Sequence, residues 1–328
     1  MSEIVIRPVT YKSPESEKKQ VLKTHDELYY WATESRFKAP WENEIFGVMS
    51  AFDGDKLVGT TSYAITPRGQ AILSDVYTDE NYRGQGIAKK VLAETMKVYE
   101  ENNTRAIYLA AWDEWIRNIY RKYGFVNVGN MGGRGSFKLT LNKLGEDKVL
   151  FRPEQKTTLR PMGLGDQADI TSLFCADFGS LVIKNYELGC YLGSYFEGEF
   201  FVLQNQVVKG VVPEEDRPKK GYRSIVLDGE ETILGFGTII PSSRRHEDHI
   251  GIIDVMVHPN YKEQAKDILA ALEDNNELEH VYAYIEENEK EKIEMFKSLG
   301  YEQLTVLNNH LKIADESFSL LLFNKTLK

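Results

Sequence analysis

The sequence predicts an α/β protein, of the mixed α+β type, that is made of two tandem domains. The chain has 328 residues, which is long for one hydrophobic core and suits two cores of roughly 150 residues each. Strand-like and helix-like patterns alternate along the first half, and several of its segments return in the same order in the second half. These observations favour a duplicated unit of strands and helices.

The first half shows strand and helix patterns in alternation. They predict, in chain order, a strand at 3–9, a helical segment at 16–33, a hairpin at 45–52 and 56–65, a strand at 70–78, a helix from Ile87 to about Asn102, a strand at 104–111, a helix at 114–123, and closing strands at 125–129 and 135–141.

A polar stretch at residues 142–156 separates two patterned blocks. It contains Gly145 and Pro153, which are typical of a linker. We therefore expect a first domain at residues 1–148 and a second at 149–328. Soon after the linker, the sequence TLRP at 158–161 repeats the IRP at 6–8.

Two longer segments also occur twice. DVYTDENYRGQGIAKKVL, which starts at Asp75, matches DVMVHPNYKEQAKDILAA, which starts at Asp254. IYRKYGF, which starts at Ile119, matches MFKSLGY, which starts at Met295. The matches keep their order and nearly the same spacing, which a tandem duplication with small insertions and deletions explains.

The composition argues against several kinds of partner. The 40 basic and 50 acidic residues give a formal charge of −10, which repels a phosphate backbone and argues against nucleic acid. An acidic surface also suits a cationic substrate, although solubility alone explains it as well. No apolar run reaches the roughly 18 to 20 residues of a membrane span, and the N-terminal sequence lacks a secretion signal, so we expect a cytoplasmic protein with no membrane partner.

The sequence offers no convincing metal or disulfide site. Cys175 and Cys190 form no C-x-x-C pair, so we expect two buried thiols rather than a disulfide framework or a thiolate metal site. The run HEDH at 246–249 contains metal-ligand residue types, but successive residues of a loop rarely converge on one ion. We therefore predict no metal.

The strongest local signal for a ligand is a glycine-rich turn between a predicted strand and a predicted helix. Gly84 and Gly86 let the backbone turn tightly, and the following helix presents unpaired N–H groups and the positive end of its dipole. Arg83, Lys89 and Lys90 add positive charge. The pattern predicts a diphosphate site, with a plain tight turn as the alternative, and it fits neither the Walker loop nor the dinucleotide fingerprint.

Two motifs of the first half resemble those of the GNAT acetyltransferases. TDENYRGQGIA at 78–88 fits the family's Arg/Gln-x-x-Gly-x-Gly/Ala signature, and IYRKYGF at 119–125 resembles its Leu-Tyr-x-x-x-Gly-Phe segment. Their order, their separation and the strand between them also agree, and the resemblance covers nearly all of residues 1–141. It implies a mixed sheet in each of two tandem GNAT-like domains, the second being a degenerate copy.

The resemblance also implies roles for particular residues. Backbone groups of Val76, Tyr77 and Thr78 would bind the pantetheine arm and the acetyl carbonyl of acetyl-CoA. Tyr120 would protonate the departing thiolate, which a phenol can do, with simple packing as the alternative role. The diphosphate would be held mainly by backbone N–H groups of the turn and the helix start, namely Arg83, Gly84, Gln85, Gly86, Ile87 and Ala88.

The second half lacks these features at the matching positions. Its counterparts of the two glycines, the alanine and the tyrosine are Glu263, Ala265, Asp267 and Phe296. We therefore expect no phosphate binding there. Asp75 returns as Asp254, so we expect this carboxylate to serve the fold rather than the chemistry.

The general base and the acceptor site stay open at this level. Four carboxylates near the proposed cleft are each expected to be solvated or structural, namely Asp75, Glu80, Asp113 and Glu114. Trp112 and Trp115 are candidates for an acceptor pocket, although core packing is expected for at least one of them. Asp113 and Ile116 replace residues common in the family, which puts one cofactor contact in doubt.

The sequence thus predicts an N-acetyltransferase that uses acetyl-CoA as co-substrate and a primary amine of a small molecule or peptide as acceptor. The second domain would shape the acceptor cleft or form a homodimer interface. The alternative from another class is a non-catalytic acyl-CoA sensor or scaffold. Among enzymes, a different acyl-CoA donor also stays open.

Overall fold

A computed structural model describes residues 3–25, 27–42, 44–131, 134–176, 223–242, 244–274, 276–313 and 316–327. Over these residues the strands form two seven-stranded sheets, with helices packed against them. Each sheet contains both parallel and antiparallel strand pairs. The predicted mixed α/β class is therefore confirmed.

The first sheet has the strand order β1-β2-β3-β4-β5-β7-β6. Its strands are β1 (Ile4–Val9), β2 (Ile45–Asp53), β3 (Lys56–Ile65), β4 (Gln70–Thr78), β5 (Ala106–Ala111), β6 (Val126–Met131) and β7 (Arg134–Thr140). β4 and β5 pair in parallel, and the other neighbouring strands of this sheet pair antiparallel.

Five helices accompany this sheet among the described residues: α1 (Glu15–Leu22), α2 (Glu27–Lys38), α3 (Ile87–Glu101), α4 (Glu114–Lys122) and the short α5 (Asp147–Leu150). The single helical segment predicted at 16–33 is instead two helices. The Thr24 hydroxyl donates to the Val21 carbonyl (2.7 Å), and the His25 ring also bonds to it (3.0 Å). These local bonds take the place of a continued helical ladder.

Helices cover both faces of the first sheet. α3 and α4 pack in one hydrophobic cluster with Ala71 and Leu73 of β4. α1 and α2 pack in another cluster with Ile72, which points to the opposite face because side chains alternate along a strand. The glycine-rich turn before α3 and the link between α1 and α2 therefore belong to opposite faces.

The second sheet has the order β8-β9-β10-β11-β12-β14-β13, which repeats the strand order of the first. Its strands are β8 (Thr158–Pro161), β9 (Arg223–Asp228), β10 (Ile233–Pro241), β11 (Ile250–Val257), β12 (His280–Glu286), β13 (Glu302–Ile313) and β14 (Glu316–Thr326). Its described helices are α6 (Gln167–Phe174), α7 (Ala265–Glu273) and α8 (Lys290–Ser298). β11 and β12 form its parallel pair, at the position of β4 and β5.

The two halves share their hydrophobic clusters. Trp41 of the first half is buried with the second sheet, and Cys175 of the second half is buried with the first sheet. Leu150 and Phe151, from the stretch predicted as a linker, are also buried with the second sheet. The burial predicted for Cys175 is confirmed, whereas Cys190 lies outside the described residues.

Hydrogen bonds and ion pairs add to this contact. The Glu42 carboxylate accepts the N–H groups of Leu164 (3.0 Å) and Gly165 (3.3 Å). Arg68 of the first half pairs with Asp228 of the second at 2.5 Å. None of the helices in the described ranges is long and apolar enough to cross a membrane.

Candidate functional site

β4 contains a bulge at the point where it separates from β5. Thr60 of β3 pairs with Tyr77, and Ser62 pairs with Ser74, so β4 takes three steps where β3 takes two. Asp75, inside the bulge, has a φ of 52°. A bulge of this kind bends the strand and leaves backbone groups outside the ladder.

The predicted pantetheine-binding residues follow this bulge. The parallel pairing of β4 with β5 runs from Gln70 to Ile72 and ends there, although both strands continue. Tyr77 and Thr78 pair with β3 on one side, so their other edge faces the gap toward β5. The side chain of Val76 is exposed. A gap between two parallel strands leaves main-chain donors and acceptors for an extended ligand.

The glycine-rich turn after β4 is open. Gly84 and Gly86 have φ values of 78° and 76°, which favour glycine. A Cβ atom at either position would have no neighbouring atom within 4 Å. Before the turn, the Asp79 carboxylate accepts the N–H of Asn81 (3.0 Å) and pairs with Lys56 (2.9 Å). The contacts of Asp79 therefore fix the start of the turn, whereas no atom lies close to the positions that a side chain at Gly84 or Gly86 would occupy.

No side chain caps the N-terminus of α3. Its N-cap residue is Gly86, which has no side chain that could accept a hydrogen bond from the helix. The Lys90 N–H donates to the Gly86 carbonyl at 3.1 Å. The N–H groups of Ile87, Ala88 and Lys89 precede that first helical bond, which makes them donors for an anion. The exposed guanidinium of Arg83 lies beside them in the sequence and 3.8 Å from the Glu80 carboxylate.

The start of α3 is fixed by packing against β3 and by a hydrogen bond from the preceding turn. The Ile87 side chain is buried, and a Cβ atom on Gly59 would lie 2.6 Å from its Cγ2 atom. Gly59 therefore allows the end of the helix to lie close against β3. The Gln85 side chain donates to the Asn81 carbonyl (3.1 Å), which ties the turn to the preceding 3-10 helix.

Tyr120, the predicted proton donor, lies on α4 and is 6% exposed. Its ring meets the edge of Phe125 at 5.8 Å between centroids, in the cluster that also contains Leu109 of β5. The residue thus lies on the same face of the sheet as α3. Most of its surface is used for packing.

The expectation that Trp112 or Trp115 would pack in the core is wrong. Trp112 is 60% exposed and Trp115 is 65% exposed. Trp112 follows the end of β5, beyond the sheet, and Trp115 lies on the outer face of α4. The inner face of that helix is occupied by Ile116 and Tyr120 instead.

The structure also shows a pair that sequence reasoning missed. The Asp75 carboxylate, with Oδ2 3.5 Å from Nε2 of His25, also accepts the Ser74 hydroxyl at 2.8 Å. Burial alone would raise the pKa of Asp75, but hydrogen bonding and the charge of His25 outweigh it and hold that pKa below its ordinary value. His25 is 50 positions away and belongs to no motif, so the sequence carried no signal for it.

The register also changes the interpretation of Asp75. Ser62 of β3 and Thr238 of β10 occupy equivalent positions, and they pair with Ser74 and Asp254 respectively. Asp254 therefore corresponds in the ladder to Ser74, and it forms a buried ion pair with Lys292. The sequence match of Asp75 with Asp254 is displaced by the bulge, so it does not show a shared structural role.

The other candidate bases lie on the surface. Glu114 accepts from Arg121 (2.5 Å), and this hydrogen bond lowers the pKa of Glu114. Glu80 and Asp113 are exposed. Within the described ranges no three His, Cys, Asp or Glu side chains are grouped closely enough to hold a metal ion.

Comparison with known proteins places a family match on this part of the chain. Residues 11–125 match the model of the acetyltransferase (GNAT) family. The search of curated proteins found no match.

Several solved structures are similar to about half of the chain. The yncA protein of Salmonella typhimurium, solved with its cofactor acetyl-CoA, is 17% identical, covers 52% of this chain and 94% of its own, and has a TM-score of 0.40. An N-acetyltransferase from Staphylococcus aureus Mu50 has 14% identity, coverages of 53% and 99%, and a TM-score of 0.41. The ribosomal-protein-alanine N-acetyltransferase of Brucella melitensis has 18% identity, coverages of 52% and 99%, and a TM-score of 0.39.

The bulged strand, the open glycine turn and Tyr120 all fall inside residues 11–125, the range that matches the acetyltransferase (GNAT) family model.

Proposed function

We propose that this protein is an N-acetyltransferase that moves the acetyl group of acetyl-CoA to a primary amine of a small molecule or peptide. Residues 1–148 form its cofactor-binding and catalytic domain, and residues 149–328 are a degenerate copy. The observation that carries the proposal is the uncapped, open turn at 83–86 beside the bulged strand β4. The family match over the same residues supports it.

The turn suits the diphosphate of a coenzyme A thioester. The helix N-terminus offers the N–H groups of Ile87 and Ala88, and the two glycines leave room for close approach. Arg83 and its neighbours Gly84, Gln85 and Gly86 complete the anion site. The backbone edge of Val76, Tyr77 and Thr78 then lies where the pantetheine arm enters the gap between β4 and β5.

The chemistry follows from these positions. The amine nitrogen attacks the thioester carbon, a C–N bond forms, and the carbonyl oxygen becomes an oxyanion that backbone N–H groups near Val76 stabilise. When the C–S bond breaks, the electron pair stays on sulfur and Tyr120 protonates the thiolate. The ammonium form of the acceptor brings three protons, the amide keeps one, one replaces the proton of Tyr120, and one is released.

A non-catalytic acyl-CoA sensor is the second candidate. The observation that favours it is the burial of Tyr120, because a packed phenol can serve the core without taking part in chemistry. In that case the same turn would bind the thioester, and the acetyl group would stay on it. The second domain would then act as the scaffold.

Acetyl-CoA binding and thiol release together separate these functions. We expect wild type to bind acetyl-CoA by calorimetry and to release free thiol with at least one of tyramine, spermidine, glucosamine and an alanyl peptide. Tyr120→Phe should keep the affinity and lose about 100-fold or more in kcat, the usual size of a general-acid contribution. Binding without turnover of any amine would favour the sensor, and absence of binding would reject both candidates.

A further inference from the structure

Both ends of the glycine-rich turn are attached to the hairpin of β2 and β3. Before the turn, the Asp79 N–H donates to the Val58 carbonyl of β3 at 3.0 Å. After the turn, Ile87 packs so closely on Gly59 of β3 that a Cβ atom there would lie 2.6 Å from Cγ2 of Ile87. The two glycines between these points have open surroundings. The path of the turn therefore depends on how firmly the hairpin holds its ends.

Two side chains of the hairpin turn contact the segment that precedes the glycines. Asp53 and Lys56 pair across the end of the ladder, so their side chains lie on one face of the sheet. The Tyr82 hydroxyl donates to Oδ2 of Asp53 at 2.7 Å. The Lys56 ammonium pairs with Oδ2 of Asp79 at 2.9 Å and lies 5.0 Å from the centre of the Tyr82 ring. The hairpin turn thus holds the 3-10 helix directly before Arg83 at two points.

Asp79 connects the hairpin to the backbone of the turn. Its Oδ2 atom pairs with Lys56, and its Oδ1 atom accepts the N–H of Asn81 at 3.0 Å. The hydrogen bond from Lys56 also holds the pKa of Asp79 below its ordinary value, so the carboxylate stays charged. A shift of Lys56 would therefore move the peptide groups that lead into the glycines.

The second half has the same tyrosine in a different contact. Tyr261, which matches Tyr82 in the sequence, is 3% exposed. Its hydroxyl donates to the Arg152 carbonyl and accepts the N–H of Gln155 at 3.1 Å. In this half the segment between the two sheets holds the 3-10 helix through its tyrosine.

The matching hairpin carboxylate also has other partners. Asp228 ends β9 as Asp53 ends β2. Its two oxygens pair with Arg160 (2.9 Å) and with Arg68 of the first half (2.5 Å). Both halves thus have the carboxylate and the tyrosine, and among the described residues they meet in the half that has the glycine-rich turn. Packing of the fold alone does not require this contact.

We propose that the hairpin turn at 53–56 positions the diphosphate site. Asp53 and Lys56 fix the 3-10 helix, so that the N–H groups from Arg83 to Ala88 already face one place before the ligand binds. This inference rests on the proposed cofactor site and adds its positioning residues, which themselves do not touch the ligand. A site that is ordered in advance loses less conformational freedom on binding, so the positioning is measured as affinity for the diphosphate.

The first test is Tyr82→Phe in the full chain, which removes the hydroxyl and keeps the ring and the net charge. We expect the Kd for acetyl-CoA, measured by calorimetry, to rise about fivefold, which corresponds to one hydrogen bond of ordinary strength. With any panel amine that wild type acetylates, kcat at saturating acetyl-CoA should not change. Tyr261→Phe is the matched control, because it removes the same group from the second half and should keep the wild-type Kd.

Asp53→Ala separates positioning from simple charge. Removal of a carboxylate beside a diphosphate site would tighten binding through charge alone, whereas loss of positioning weakens it. We expect a Kd about fivefold higher, and no further loss when Tyr82→Phe is added, because both changes remove the same hydrogen bond. Asp55→Ala is the control, since it removes an exposed carboxylate from the same turn and should bind acetyl-CoA at least as tightly as wild type.

A ligand without phosphate tests whether the loss lies at the diphosphate. S-acetylpantetheine carries the arm and the acetyl group of the cofactor and has no diphosphate. Its affinity, measured by competition with acetyl-CoA, should be equal in wild type and Tyr82→Phe. Thermal unfolding of each variant sets a temperature at which all of them are folded, and binding is measured there.

Three results would overturn the inference. A wild-type Kd for acetyl-CoA in both Tyr82→Phe and Asp53→Ala would reject it while leaving the proposed function intact. An equal loss of affinity for S-acetylpantetheine would show that the tyrosine supports the whole domain rather than the diphosphate site. Wild-type protein that binds no acetyl-CoA would reject the cofactor site itself, and this inference with it.

Discussion

Strands β4 and β11 occupy the same place in their sheets and differ by one residue. Each pairs in parallel with the next strand for three residues. After β4, the N–H of Asp79 donates to the Val58 carbonyl of β3 (3.0 Å). After β11, the N–H of His258 donates to the Leu234 carbonyl of β10 (2.9 Å). In β4 an extra residue makes a bulge, whereas β11 is regular. One inserted residue thus separates a strand with backbone groups outside the ladder from one that only completes a sheet.

The turns that follow these two strands also differ in backbone conformation and in charge. After β4, two left-handed glycines separate a short 3-10 helix from α3. After β11, the 3-10 helix Pro259–Gln264 runs directly into α7. Glu263 and Asp267 place carboxylates there, which repel phosphate. The second half therefore differs from the proposed anion site of the first half in both backbone geometry and charge.

The surface beside each turn also differs. In the second half a cleft of about 330 Å³ lies between the start of α7 and α8, and its lining includes Glu263 and Glu294. An ion pair between Lys262 and Glu291 (3.1 Å) lies within it. The residue that matches Glu291 in α4 is Trp115, which is exposed. An exposed aromatic side chain of the first half therefore corresponds to one member of a charged pair in the second half.

The largest effect that we expect is a loss of unfolding free energy when Asp254, the carboxylate of β11, is replaced. Asp254→Asn removes the carboxylate that is ion-paired with the buried ammonium of Lys292, and breaking a buried ion pair on one side costs about 3 to 5 kcal/mol of unfolding free energy. Urea unfolding measures this loss. Asp75→Asn is the matched variant and should lose much less, because its partner His25 can become neutral. Equal losses would contradict the different roles of the two carboxylates.

The next largest effect is a loss of acetyl-CoA affinity when Gly86, in the turn after β4, is replaced. Gly86→Glu places a carboxylate beside the uncapped helix and strains the backbone, so the affinity for acetyl-CoA should fall by about 100-fold or more. Gly300→Glu is the control, because Gly300 has a similar φ of 86° and equally open surroundings in the second half. Calorimetry should show that Gly300→Glu binds like wild type. Unimpaired affinity in Gly86→Glu would count against the placement of the site.

The last prediction concerns the pH dependence of stability that comes from Asp169, which lies beside Arg68 of the other half. Burial raises the pKa of Asp169 to about 7, although Arg68 of the first half lies 3.5 Å away and offsets part of this shift. The folded protein therefore retains a proton that the unfolded chain releases above pH 4. The unfolding free energy should fall as pH rises from about 4 to 7, and level off above that range.

Asp169→Asn should remove this part of the pH dependence. Urea unfolding at pH 5, 6 and 7 measures it, with wild type as the reference. Because Arg68 and Asp169 come from different halves, a single transition that shifts as a whole would indicate one cooperative unit. Two transitions, of which only one responds, would indicate halves that unfold separately.

Local chemistry explains what could be predicted about the fold and the site. The strands and helices of the first half were predicted nearly in place because their apolar periodicity is a local property. The open turn was predicted because Gly84 and Gly86 permit a conformation that other residues disfavour. The exposure of Trp112 and Trp115 was not predicted, because aromatic residues are usually buried and only packing decides which face is covered.

The sequence by itself determined the glycine-rich turn of the first half and the absence of its glycines at the matching positions of the second half, because glycine spacing and carboxylate substitutions act within a few residues. Only the tertiary structure decided the register of β4, its bulge and the contact between His25 and Asp75. These depend on which residues of distant segments meet across a ladder or a helix–sheet contact. An insertion of one residue is nearly invisible in a sequence match, yet here it produces the bulge in which Asp75 takes a φ of 52°.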